Sequence, residues 1–435
     1  MENTVPEAAD SMVPYTDWKQ ITNCYEVNLR QYTPEGTINA FLPHLARLRA
    51  MGINTIWLMP IYPIGSTNRK GELGSPYSVK DYMAVNPDLG TIEDFKKLVY
   101  EAHTYGMHVI LDWVANHSAP DNPLVKLHPD WYTKDSLGNV PTPPAGTDWT
   151  DVADFDYASK SLEEYMISAM KFWVDQTKID GFRCDVADMV PLSFWQKARV
   201  ELLKSNKYIF MLAECEKPQY HQAAFDATYC WSIHHVMNEI AKETKNADDL
   251  VKLIEEDAQK FPPDAMRMQF TSNHDENSWN GTEYERLGKG AETFAVLTFT
   301  IPGFPLIYSG QEAANKKRLK FFDKDEINWK EKPLNEFYKT LLGLKRRNPA
   351  LWNGIAKGDF KRVNNSPNTL IFERVNGNHK VLAIFNLSPK KQTEKVQVTF
   401  QGMKEKLNNG ITIEKQGKNV NLELKGWGYS VWSTD

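Results

Sequence analysis

Four polar strings close apolar runs in this chain: LDWVANH (111–117), GFRCDVAD (181–188), LAECE (212–216) and TSNHDE (271–276). They supply the carboxylates Asp112, Asp185, Glu214 and Asp275, together with Arg183, Asn116, His117 and His274. A lone Asp or His at the end of a strand is ordinarily a satisfied hydrogen-bonding group. Convergence of four such ends on one cavity reverses that expectation. Two carboxyl groups flanking a glycosidic bond, one ionised and one protonated, are what glycoside hydrolysis needs. Arg183, two residues before Asp185, is placed to keep that aspartate ionised and oriented.

These residues need elements that bring them together. From residue 24 onward, short apolar runs alternate with amphipathic helical patterns, which implies an α/β fold around a parallel sheet. Strand-like runs are CYEVNLRQY (24–32), NTIWLMPI (54–61), HVILDWV (108–114), IDGFRCDV (179–186), YIFMLAE (208–214), a weaker ATYCWSI (227–233), MRMQFTS (266–272) and FPLIYSG (304–310). A helix is expected within INAFLPHLARLRAMG (38–52), a second from Thr91 with a capping box to Asp94, and a third from Ser161 with Glu164 three residues on. Eight strands over this length suit a closed (β/α)8 TIM barrel better than an open sheet, and in such a barrel the active site lies at the carboxyl ends of the strands. The domains expected are a loose tail (1–14), the barrel (15–117 and 161–350), a Pro-, Gly- and Asp-rich insertion (118–160) over the barrel mouth after strand three, and a C-terminal antiparallel β-sandwich (351–435).

Composition removes several function classes. The net charge of −5, with no basic stripe, argues against a nucleic-acid partner. The longest apolar stretch, FAVLTFTIPGFPLIY (294–308), is too short and too interrupted by Pro302, Gly303 and Pro305 to span a bilayer. The first residues lack a secretory pattern, which leaves both a cytoplasmic and an exported location open. Cys24, Cys184, Cys215 and Cys230 lack metal-ligand spacing and read as buried thiols. The 13 tryptophans suit sugar stacking and core packing alike.

The four strings, in this order and at these strand ends, resemble the signature regions of the α-amylase family, glycoside hydrolase family 13. SPYSVKDYMAVNPDLGT (75–91) and PGFPLIYSGQE (302–312) extend the likeness over nearly the whole chain. The resemblance implies Asp185 as nucleophile, Glu214 as general acid and base, and Asp275 as a carboxylate that binds sugar hydroxyls and stabilises the transition state. It further implies Arg183, His117 and His274 as sugar-site ligands and Tyr77 as an aromatic platform. The activity implied is retaining cleavage of α-1,4 bonds in α-glucans or malto-oligosaccharides, by a monomer or weak oligomer, with no cofactor required for the chemistry. Glucanotransferase and short-chain α-glucosidase activities are the alternatives, and a non-catalytic relative is the bland one.

Two positions depart from, or leave open, the family pattern. Starch-acting members often carry Lys and His where this chain has Asp188 and Met189, so these two become candidate substrate-binding positions, with a solvated acid as the plain alternative for Asp188. Relatives that bind a structural Ca²⁺ use an asparagine and an aspartate that match Asn116 and Asp154, whereas Asn116 bonding only to the loop backbone is the simpler reading. Trp427 and Trp432 are expected in the C-terminal core, with a starch-binding surface as the alternative.

Overall fold

The structure, a computed structural model, describes residues 17–139, 142–416 and 419–435, so the expected N-terminal tail lies outside the described residues. Among the described residues, ten strands occupy the first part of the chain: β1 (Cys24–Val27), β2 (Thr55–Leu58), β3 (His108–Trp113), β4 (His117–Ser118), β5 (Ala153–Asp154), β6 (Gly181–Cys184), β7 (Phe210–Ala213), β8 (Ala227–Tyr229), β9 (Met266–Gln269) and β10 (Phe304–Tyr308). Eight of them close a barrel in the order β1-β10-β9-β8-β7-β6-β3-β2, and every barrel pairing is parallel. The short β4 and β5 pair antiparallel within the insertion.

Strand alternation builds the interior. Phe210 and Leu212 of β7, Met266 and Met268 of β9, and Phe304 and Leu306 of β10 join one buried cluster inside the barrel, whereas Met211, Ala213 and Ile307 join the cluster under the outer helices. A side chain two residues further along an inward row therefore reaches the mouth, and that is where the polar strings fall.

Local chemistry explains the departures from the sequence reading. The first strand ends at Val27, because residues 29–32 turn into a short helix. The expected helix within 38–52 is two helices, Ile38–Phe41 and His44–Met51, broken at Pro43, which has no N–H to continue the ladder. Gly52 closes the second piece at φ 112°. The capping box of Thr91 and Asp94 is present at the start of Ile92–Thr104. The helix expected from Ser161 begins at Lys160 behind Ser159, while the Ser161 hydroxyl accepts a hydrogen bond from Trp131. The weak strand at 227–233 is only three residues long, and a helix starts at Trp231.

The C-terminal strands are β11 (Asp359–Arg362), β12 (Thr369–Asn376), β13 (His379–Asn386), β14 (Gln392–Val396), β15 (Lys404–Gln416) and β16 (Asn419–Ser433). Their pairing runs β11-β12-β13-β16-β14, with β15 along β16. The first half of β16 pairs with β14 and the second half with β13, so one long strand joins the two parts of a single antiparallel sheet where a sandwich was expected. Ile371, Leu382, Ile384, Leu422 and Leu424 fill one face of this sheet, and Leu370, Phe372, Val381 and Ala383 turn the other toward the barrel. Lys345 and Arg374 are buried at that junction, each held by backbone carbonyls: Lys345 donates to Gly303 and Leu351, and Arg374 to Thr300 and Gly358. Trp427 packs on Phe294 and Trp432 on Phe400, so both serve the core and neither offers an exposed sugar-binding face.

Gly181 lets β6 lie against β7. A Cβ at that position would sit 2.0 Å from the carbonyl oxygen of Phe210. Because the contact is to backbone, relief requires the strands to separate. Gly181→Ala is therefore expected to lower unfolding stability by about 3 kcal/mol or more. Chemical denaturation followed by far-UV circular dichroism would measure this, and an unchanged midpoint would refute the close-approach account.

Candidate active site

The mouth is organised around one buried cation. Arg183, fully buried on β6, places Nη1 2.9 Å from both Asp112 Oδ1 and Asp185 Oδ1, and Nη2 2.7 Å from Glu214 Oε2. Its Nε donates to the Tyr229 hydroxyl at 3.1 Å, and its guanidinium lies over the rings of Trp57, Tyr77 and Tyr229. The contact with Glu214 is an ion contact and not an aligned hydrogen bond. Glu214 takes its aligned bond elsewhere, from the backbone N–H of Val186 at 2.7 Å.

Val186 holds an unusual backbone for a β-branched residue, with φ 35° and ψ 48°. This left-handed residue directly follows Asp185 and aims its N–H at Glu214, so local strain is retained where it positions a candidate catalytic group.

Asp112 anchors the other side. Its Oδ2 accepts from Trp57 Nε1 and from the Tyr77 hydroxyl, each at 3.1 Å. The same hydroxyl lies 2.8 Å from His274 Nε2, which is 3.2 Å from Asp275 Oδ2. His274 Nδ1 meets Glu26 Oε1 at 2.5 Å. Glu26 was not anticipated from the sequence, although an acid inside the wholly buried strand CYEV is itself the signal of a paired internal charge.

Several carboxyl groups share few cations here, and their protonation follows. Burial, opposed by Arg183 and reinforced by the charges of Asp185 and Asp275, raises the Glu214 carboxyl to about 8. Burial likewise raises Asp112 to about 6, against Arg183 and with Asp185. For His274 burial disfavours the charge, but Asp275 and Glu26 overcome it and raise the imidazole to about 9. His117 moves the other way: burial lowers it despite Asp185 and Asp151, and its ring meets the edge of Trp149. The result at neutral pH is a protonated Glu214, a cationic His274 and a neutral His117 around Asp185.

A cavity of about 580 Å³ unites Tyr77, His117, Asp185, Glu214, His274 and Asp275 with Lys70, Trp149, Trp279, Phe321 and Phe322. The last five were not singled out from sequence, because they come from loops whose proximity has no one-dimensional signature. Arg183 stands behind this surface. Asp188 and Met189 do not line it: Asp188 pairs with Lys217 at 2.9 Å and Met189 is exposed.

The calcium reading fits poorly. Asn116 Nδ2 donates to Asp154 Oδ1 at 3.4 Å, and the Asn116 carbonyl accepts from Phe155. Two side-chain oxygens fall well short of the six to eight that Ca²⁺ takes. Among the described residues the one converging set of three metal-ligand types is Glu216, Cys230 and Asp257, and Arg267 already bonds all three.

The comparisons agree with this geometry. The sequence matches the family described as "Alpha amylase, catalytic domain" over residues 14–134 and 147–381. The structure is similar to that of an alpha-amylase from Lactobacillus plantarum, with a TM-score of 0.84 and 28% identity, covering 96% of this chain and 100% of that one. It is also similar to the noncanonic maltogenic alpha-amylase AmyB from Thermotoga neapolitana, with a TM-score of 0.83 and 30% identity, covering 95% and 98% of the two chains. Alpha-amylase MalA of Haloarcula japonica is 26% identical over 80% of this chain, which spans about half (51%) of that relative's length. With the catalytic-domain match covering most of its length and all four polar strings meeting in one cavity, the chain belongs to the alpha-amylase family.

Proposed function

We propose that this chain is a retaining α-glycoside hydrolase acting on α-1,4 bonds of starch-derived glucans or malto-oligosaccharides. One observation carries the reading: Asp185 and Glu214 sit on the two arms of the same guanidinium, and burial with the neighbouring acids raises the Glu214 carboxyl to about 8, which keeps it a proton donor beside Asp185. Carboxyls held this closely favour the separation of about 5–5.5 Å used by retaining enzymes over the wider spacing that admits a water between them.

In the first step the Asp185 carboxylate attacks the anomeric carbon. The C–O bond to the leaving sugar breaks as Glu214 gives its proton to that oxygen, leaving a glycosyl ester on Asp185. In the second step Glu214, now a base, takes a proton from water, whose oxygen displaces Asp185 and regenerates both groups. Asp275, oriented by the His274 imidazolium, binds sugar hydroxyls and opposes the developing positive charge. Tyr77 supplies a ring face below the reacting sugar, its hydroxyl fixed by Asp112 and His274. Neutral His117 hydrogen-bonds a sugar hydroxyl from the insertion side. Asp188 is paired with Lys217 outside the cavity and takes no part at the reacting sugar.

Glu214→Gln is expected to lower kcat/KM on maltotriose by about 10³-fold or more, with a much smaller loss on α-maltosyl fluoride, whose leaving group needs no proton. Equal losses on the two substrates would remove Glu214 from the acid role. For the wild type, kcat/KM on maltotriose should fall as pH rises through about 8, the value to which burial and the neighbouring acids bring Glu214. The same limb should be absent with the fluoride. Chromatography of the maltotriose products separates hydrolysis from transfer, since products longer than the substrate as the main output would favour a transferase.

A further inference from the structure

We infer that the cleft is closed on its glycone side, so that the enzyme engages glucan chains at their non-reducing ends and releases glucose or maltose. This rests on the hydrolase reading above and adds a direction of attack to it.

The barrel order sets the geometry. In the closed ring β1-β10-β9-β8-β7-β6-β3-β2, the strand diametrically opposite β7 is β1, whose neighbours are β10 and β2. Glu214 follows the end of β7. Its proton goes to the oxygen of the departing sugar, so the leaving part of the glucan lies on the β7 side. The glycone must then extend toward the loops after β2 and β10.

That side is strapped shut. Residues 68–73, after β2, bridge the insertion to the loop after β10. Asn68 Nδ2 donates to Thr150 O at 3.1 Å, and Lys70 Nζ donates to Asp148 O at 3.1 Å and pairs with Asp151 Oδ1 at 3.2 Å. The same Lys70 ammonium lies over the Phe322 ring at 5.9 Å. The strap is then pinned to the second loop, because Glu72 N donates to Asp323 Oδ1 at 2.7 Å and Leu73 N to Phe322 O at 2.9 Å. Gly71 is left-handed here, and a Cβ on it would fall 2.5 Å from Phe322 Cβ, so the strap is seated hard against that loop.

Lys70 lines the same cavity as Asp185 and Glu214. Tyr77 and Phe321 stack at 6.2 Å with 17° between their planes, and Phe322 follows at 5.1 Å, so an aromatic wall leads from the candidate reacting centre to Lys70 and stops there. A glucan continuing beyond a short glycone would have to pass between Lys70 and Asp151, and Asp151 is almost wholly buried. A chain end fits without that passage.

The test compares maltoheptaose carrying a fluorescent label at its reducing end with the same molecule blocked by an ethylidene acetal on its non-reducing terminal glucose. Wild type is expected to shorten the open substrate stepwise, releasing unlabelled glucose or maltose, and to act on the blocked one about 100-fold more slowly. Lys70→Ala, and the pair Lys70→Ala with Asp151→Ala, should narrow that gap about tenfold or more, whereas Lys70→Arg keeps it. Blocked and open substrates cleaved by wild type within about threefold of each other would overturn the closed-end inference while leaving the hydrolase reading intact. A gap unchanged in both alanine variants would likewise overturn it. No cleavage of the open substrate would refute the hydrolase reading and, with it, this inference.

Discussion

The architecture of the site depends on neutralising one buried guanidinium. Arg183 sits at the centre of the barrel mouth with no solvent exposure, and three carboxylates from three different strands or strand ends reach it. An unpaired charge in this position would be severely destabilising, and truncating one partner of such a group typically costs about 3–5 kcal/mol. The pairing therefore does two things at once. It satisfies the cation, and it holds Asp185 and Glu214 at fixed places relative to one another. The aromatic rings of Trp57, Tyr77 and Tyr229 pack around the guanidinium and keep water from competing for it.

The excess of acids over bases turns this structural device into a chemical one. Arg183 cannot compensate Asp112, Asp185 and Glu214 together, and burial reinforced by the charges of Asp185 and Asp275 raises the Glu214 carboxyl to about 8, so that group retains its proton near neutral pH. On the far side Glu26 and Asp275 hold His274 as a cation, which in turn orients Asp275 toward the cavity. Different environments thus give identical carboxyl chemistry separate roles, the general route by which one site supplies both a nucleophile and an acid.

The barrel was legible because strand alternation and intervening helical periodicity are local properties, and the sequence carries them plainly from Cys24 to Tyr308. What escaped local reading were the ends of elements. Residues 29–32 look like a continuing strand yet form a helical turn, and Pro43 divides what reads as one helix. The candidate carboxylates stood out because each closes an apolar run. Glu26 did not, since it lies inside a strand and its partner His274 is 248 positions away. Asp188 and Met189 drew attention because they stand where starch-acting family members often carry Lys and His, but one turn of backbone carries them out of the cavity.

By itself the sequence determined the fold class, the order of the barrel strands and the identity of the acids and bases available at their ends, because hydrophobic period and residue type are written along the chain. Only the tertiary structure decided which of these groups share a counter-charge, which carboxyl keeps its proton and where the cleft ends. Those properties arise from distances between residues far apart in sequence: the reach of Arg183 to Asp112 and Glu214, the placement of Glu26 behind His274, and the bridge of Lys70 from the insertion to Phe322. Charge interaction depends on separation and burial in space, and neither quantity exists until the ring of strands has closed.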